Sequence, residues 1–348
     1  MFSEGVVQWR RIHPAILVYR AKTVVIGAGT PVAKSSYTGL GSCFNSIPFM
    51  QLSIPHRLFT ILSATVLLLP SSPAIAQTPL AVPEGVTFTR DIEFSNVDGQ
   101  HLQVNLAQPQ GAGKFPAVVC IHGGGFRAGK REGYDKLCLR LAQNGYVAVT
   151  VTYRLAPAYP FPAAVQDCKA AVRWLRANAA MYNVDPDAIG VTGGSAGGHL
   201  AQFLGVTSGV AEFEGEGNLG QSSRVSCVVN YYGPSDFTKS YEKSVDAKDV
   251  LPLFFGGDLS IKWREHVVGS PLNWVTPFAA PSLVVHGTED KFVAYEQAGW
   301  MVDRLKSCAI EAELLTLEGA GHGFKGAELE KADAALLAFF NKHLKPSK

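Results

Sequence analysis

The chain has 348 residues, 47% of them hydrophobic and 17% charged, with a formal net charge of +2. This is the composition of a globular protein with a sizeable core, which excludes an intrinsically disordered chain. The charge is uneven: residues 1–76 carry six Lys and Arg against the single acid Glu4, so 25 basic and 28 acidic residues follow Ala76, with no basic cluster to attract nucleic acid or an anionic membrane.

The first readable segment is MQLSIPHRLFTILSATVLLLPSSPAIAQTP, starting at Met50. It has a cation at Arg57, a twelve-residue apolar run from Leu58 to Leu69, helix-breaking Pro70 and Pro73, and small residues at Ala74 and Ala76. That order predicts a secretory signal peptide over 50–76, cleaved after Ala76, and hence a secreted or periplasmic protein. The run falls short of the ~20 residues that span a bilayer. Gln77, not Cys, stands directly after the cleavage point, so nothing suggests a lipid anchor. Because such a leader opens a chain, Met50 is expected to be the true start, with residues 1–49 a gene-model extension. VVIGAGT within that stretch has neither the third glycine nor the later acid of a dinucleotide loop.

Residues 77–348 are expected to form one domain. VTFTRDIEF and HLQVNLAQP alternate around the turn Asp98-Gly99, which predicts an N-terminal hairpin at a sheet edge. Apolar strands follow in FPAVVCIHGGGF, YVAVTVTYRLAP, AIGVTGG, VSCVVNYYGPSDF, PSLVVHGTED and AELLTLEGAGHGF. Helical stretches alternate with them. AAVQDCKAAVRWLRANA puts Ala164, Cys168, Ala171, Val172 and Leu175 on one face, and a last helix is expected over Leu329–Leu344. The pattern predicts an α/β fold, a mostly parallel sheet with helices on both faces. Residues 209–223 and roughly 237–280 are excursions from it, expected as lid or substrate wall, or else disordered. In the second, Phe254, Phe255, Trp263 and Trp274 are expected to form the loop's own small core. Five cysteines follow Ala76, an odd and widely spaced set that does not make a disulfide framework. Cys120 and Cys227 read as buried thiols, and one bridge among the five stays open.

In open α/β sheets, ligands gather beyond the carboxyl ends of the strands, where the conspicuous residues here all fall. Gly193-Gly194-Ser195-Ala196-Gly197 is a G-x-S-x-G between strand and helix, the context of a nucleophile elbow. The strained turn exposes the serine hydroxyl, and side chains at 193 and 197 would collide with the neighbouring strand and helix. A serine hydroxyl needs a base, and the base an orienting carboxylate. Asp290 and His322 follow at later strand ends in the expected order, with Glu289 the rival carboxylate. Upstream, His122-Gly123-Gly124-Gly125-Phe126 offers bare N–H groups. Gly124, Gly125 and Ala196 are the expected oxyanion hole, aimed where charge develops in acyl transfer. His122 is expected to brace that loop, His286 to anchor its turn, and His199 to be structural.

Together, HGGGF, YRLAP with YPFPAAVQDCKAAVRWL, DPDAIGVTGGSAGGHLA, HGTEDKFV and GAGHGF resemble the α/β-hydrolase superfamily. The resemblance points to its HGGG-type carboxylesterases, hormone-sensitive-lipase-like or acetylxylan-feruloyl-esterase-like. It implies an α/β-hydrolase fold and ester hydrolysis through an acyl-serine without cofactor or metal. It also implies structural roles for Tyr153, Arg154 and Asp167. Hormone-sensitive-lipase-like members often carry an acid where this chain has Gly194, and an N-terminal helical cap for which residues 77–115 are too short. Both departures favour the secreted branch, acting on small acyl groups carried by carbohydrate or another polar alcohol. The substrate is then the only expected partner, with no nucleic acid and no membrane anchor. An amidase or lactonase of the same fold is an alternative, and a non-catalytic binding protein on that fold another.

Overall fold

The computed structural model describes residues 80–345. The expected leader at 50–76, its cleavage site and the 1–49 extension lie outside the described residues. Two antiparallel strands, β1 (Val86–Val97) and β2 (Gln100–Pro109), form the predicted hairpin. Asp98 and Gly99 between them have φ of 53° and 77°, the left-handed pair that matches the twist of a two-residue hairpin. The chain continues through β3 (Phe115–Ile121), α1 (Asp135–Gln143), β4 (Val147–Val151), α2 (Ala163–Ala177), β5 (Val184–Gly194) and α3 (Ala196–Val206). Then come β6 (Cys227–Tyr231), α4 (Ala247–Phe255), α5 (Trp263–Val268), β7 (Ser282–Gly287), α6 (Glu296–Ser307), β8 (Ala312–Leu317) and α7 (Gly326–Leu344). The last helix starts one turn earlier than its apolar spacing indicates.

The eight strands form one sheet in the order β1-β2-β4-β3-β5-β6-β7-β8. It is parallel from β4 to β8, with β2 joining β4 antiparallel. The central strands are apolar on both sides because both sides are covered. Val119, Ile121 and Val191 face α2, α3 and α4. Val118, Cys120 and Val229 face α1 and α7. All five described cysteines are free thiols, and Cys120 and Cys227 are buried as expected. Among the described residues no helix is long and apolar enough to cross a membrane.

The two excursions behave differently. Residues 209–223 lie over α2, where Glu214 accepts from buried Lys169 at 2.9 Å and buried Arg173 at 2.8 Å. Arg173 also donates to the Glu216 and Gly217 carbonyls. The second excursion builds one wall of the cleft at the strand ends. Its aromatics do not make a separate small core: Phe254 and Phe255 are buried in the main one, and Phe126 of the glycine loop stacks on Phe254 at 3.8 Å. Trp263 is exposed instead. Gln297 on α6 ties the start of this segment down: its Oε1 accepts from the Ser235 and Asp236 amides, and its Nε2 donates to the Asp236 carbonyl.

Candidate active site

Ser195 sits between β5 and α3 with φ 57° and ψ −123°, a backbone strained for any residue with a side chain. The flanking glycines make the turn feasible. A Cβ on Gly193 would stand 2.4 Å from the Gly197 carbonyl oxygen, and one on Gly197 would stand 2.1 Å from that of Ile121. The turn lifts Ser195 Oγ to 2.9 Å from His322 Nε2. His322 Nδ1 lies 2.7 Å from Asp290 Oδ2. All three predicted residues are therefore brought together by loops that follow β5, β7 and β8. Glu289, the rival carboxylate, is exposed, and its amide donates to the Ala320 carbonyl.

Asp290 is buried, which by itself pushes its carboxyl pKa up. Hydrogen bonds from His286, His322 and the Val293 amide outweigh that and hold it well below the usual carboxylate range. Oδ1 accepts from the Phe292 and Val293 amides, both at 2.9 Å. His286 Nε2 lies 2.9 Å from the Val293 carbonyl and 3.3 Å from Asp290 Oδ2. It anchors its turn, as expected, and also faces the carboxylate, a second contact the four-residue spacing of His286 and Asp290 could have signalled. With Asp290 ionised and accepting at Nδ1, His322 carries its proton there and presents a bare Nε2 to Ser195.

The glycine loop faces the same space. Gly124 and Gly125 have φ of 120° and 58°, and the Arg127 and Ala128 amides close the turn on the Gly124 carbonyl. Ala196 is the first residue of α3, so its N–H has no place in the helical ladder. Gly124 and Gly125 line an open cleft of about 530 Å³ with Ser195 and His322. Gly125 and Ala196 also line a smaller inner cavity of about 80 Å³, walled by Phe126, Phe237, Val250 and Leu251.

Behind the loop, His122 Nδ1 is 2.8 Å from the Gly123 carbonyl and the ring stacks on Tyr153 at 4.2 Å. Tyr153 Oη donates to the His122 carbonyl, and Asp167 on α2 accepts from the Arg154 amide and guanidinium. These contacts hold the loop from beneath, the part expected for His122 and implied by the resemblance for Tyr153, Arg154 and Asp167. His199 is fully buried with Nδ1 3.2 Å from the Pro234 carbonyl, away from the role of a base. Tyr134, Tyr232 and Phe292 line the open cleft beside these residues; Phe292 lies within HGTEDKFV, but no motif marks the two tyrosines in the sequence.

The BD-FAE family model matches residues 103–305. The chain belongs to the BD-FAE family. Its fold is that of the α/β-hydrolase esterases. One relative by sequence is Esterase LipC of Mycobacterium tuberculosis, 34% identical over 239 residues, or 65% of this chain and 58% of that one. The chain spans about half the length of the first such relatives, from 46% to 58%. A truncated carbohydrate esterase from gut microbiota superimposes with a TM-score of 0.67 and 26% identity, over 75% of this chain and 97% of that one. The thermophilic esterase Est2 of Thermogutta terrifontis gives 0.63 and 26%, over 76% and 95%.

Proposed function

We propose that this protein is a serine carboxylesterase that hydrolyses small-acyl esters, in particular acetyl or feruloyl esters of carbohydrate, through an acyl-serine. The observation that carries the reading is the hydrogen-bonded chain from Ser195 through His322 to an ionised Asp290, 2.9 and 2.7 Å long, open to a cleft. Ser195 Oγ attacks the ester carbonyl carbon while His322 Nε2 takes its proton, and Asp290 stabilises the imidazolium that forms. The carbonyl oxygen, now an anion, accepts from the N–H groups of Ala196, Gly124 and Gly125. Collapse breaks the bond to the alcohol oxygen, and His322 returns the proton to that oxygen as it leaves. Water then attacks the acyl-serine by the same route, releasing the acid and restoring Ser195.

The inner cavity of about 80 Å³ suits a short acyl chain and so favours acetyl over feruloyl. A carbohydrate esterase among the structural neighbours supports an acylated sugar as the alcohol side. Export rests on the leader motif alone, and N-terminal sequencing of the protein from its host would test it, a start before Gln77 standing against cleavage after Ala76.

The deciding experiment compares the purified protein with its Ser195→Ala variant on p-nitrophenyl acetate, butyrate and octanoate, acetylated xylan and methyl ferulate. Acetate turnover that drops by about 10⁴-fold or more in the variant is expected. Well-folded protein that cleaves no ester but opens amides or lactones would replace the reading with those activities. Failure to label with a fluorophosphonate as well would leave a binding protein.

A further inference from the structure

Gly194 precedes Ser195, and the space its side chain would take is filled from two other elements. A Cβ built there would lie 2.9 Å from Tyr134 Oη and 3.0 Å from Tyr232 Oη. Tyr134 ends the 3-10 turn Arg131–Tyr134 ahead of α1. Tyr232 follows β6 directly and holds φ at 42°, a left-handed backbone unfavourable for a residue with a bulky side chain. That backbone sets the ring 4.7 Å from the His322 imidazole. Both tyrosines are half-buried and face the open cleft, whose rim carries Arg127, Asp246 and the exposed ring of Phe292. Among the described residues no group hydrogen-bonds the Tyr232 hydroxyl, while the Tyr134 hydroxyl meets the Gly194 backbone. Burial pushes the Tyr232 phenol up to about 12, so it stays a neutral donor and acceptor at any working pH.

The chemistry says which part of an ester this corner meets. His322 returns its proton to the leaving alcohol oxygen, so the alcohol lies alongside His322, where Tyr232 packs. The small inner cavity takes the acyl chain, and the cleft of about 530 Å³ has room for the larger alcohol. Two hydroxyls, a guanidinium and a carboxylate beside one exposed aromatic ring match an alcohol that carries several hydroxyls of its own.

We propose that Tyr134 and Tyr232 form a hydroxyl-reading subsite for the alcohol part of the ester, selecting polyhydroxy alcohols over simple alkanols. The proposal rests on the esterase reading above. The pair occupies the position before the nucleophile that an acidic side chain would otherwise fill, so Gly194 is glycine to admit the two phenols.

The test uses Tyr134→Phe, Tyr232→Phe and the double variant, each removing one oxygen per ring. The reading is the kcat/KM ratio for methyl 2-O-acetyl-β-D-xylopyranoside over ethyl acetate. One hydrogen bond per phenol predicts a ratio about fivefold lower in each single variant and lower still in the double, carried by KM. A wild-type ratio in the double variant would overturn the proposal. So would a change in acetate-against-butyrate preference with the alcohol ratio intact, because the phenols would then sit on the acyl side. If the wild type cleaves no ester, the esterase reading fails first, and saturation-transfer NMR with methyl β-D-xyloside reads the subsite without turnover. Transfer lost in the double variant supports the subsite, and no transfer to the wild type refutes it.

Discussion

His199 lies one turn beyond Ser195, fully buried with its ring 4.6 Å from that of Phe237. Nδ1 faces the Pro234 carbonyl, and the buried Nε2 has no hydrogen-bond partner. Burial lowers its pKa from 6.5 to about 3, against a smaller upward pull from that carbonyl. The unfolded chain therefore takes a proton near pH 6.5 that the folded chain refuses until about pH 3. Stability from this group is full above pH 6.5 and declines as pH falls toward 3. Each pH unit inside that window weighs about 1.4 kcal/mol, so the loss between pH 7.5 and pH 5 comes to about 2 kcal/mol. His199→Asn keeps an N–H near the Pro234 carbonyl and does not titrate. It also leaves space among the rings, so its stability at pH 7.5 should drop by about 1–3 kcal/mol. Its further loss on acidification to pH 5 should be smaller than that of the wild type by about 2 kcal/mol. Urea unfolding followed by circular dichroism at the two pH values measures both. Comparing the pair cancels other groups, including Asp290, whose depressed pKa withdraws stability only as pH falls below its ordinary 3.8. Equal acid losses in the two proteins would show that the unfolded state gains no extra proton at His199, and the argument would fall.

Asp290→Asn should keep the fold but favour the wrong imidazole tautomer, lowering kcat on p-nitrophenyl acetate by about 10⁴-fold in a steady-state assay. Val250 lies against Gly125, where an added Cβ would be 3.3 Å from its Cγ1, and it walls the inner cavity. Val250→Ala should raise the butyrate-to-acetate ratio of kcat/KM about tenfold, the worth of two more buried methylenes. Glu214→Gln would strand the buried cations Lys169 and Arg173, costing about 3 kcal/mol in chemical unfolding. Because residues 209–223 lie over α2, turnover of p-nitrophenyl acetate per folded molecule should not change.

How much of this was legible in the sequence follows from how far apart the cooperating residues lie. Ser195, Asp290 and His322 could each be read locally, because each follows a strand inside a short glycine-containing motif. Asp290 prevails over Glu289 for a reason confined to one turn: the Glu289 amide binds the Ala320 carbonyl, and its side chain is left exposed. Lys169 and Arg173 are different. On α2 they follow the spacing of a solvated charged stripe, and nothing local tells that Glu214 closes over them. Tyr134 and Tyr232 meet only because β3, β5 and β6 are neighbours in the sheet. The aromatics of the second excursion could be seen but not their partner, since Phe126 arrives from a loop more than a hundred residues upstream.

That stacking of Phe126 on Phe254, together with Gln297 holding the Ser235 and Asp236 backbone, has a kinetic consequence. The wall over the cleft is packed against the same loop that holds the proposed oxyanion donors, so swinging it aside would dismantle the proposed hole. Such an enzyme gains nothing from an oil–water boundary. Its rate on a sparingly soluble ester such as tributyrin should saturate with dissolved substrate and pass through the solubility limit without a jump.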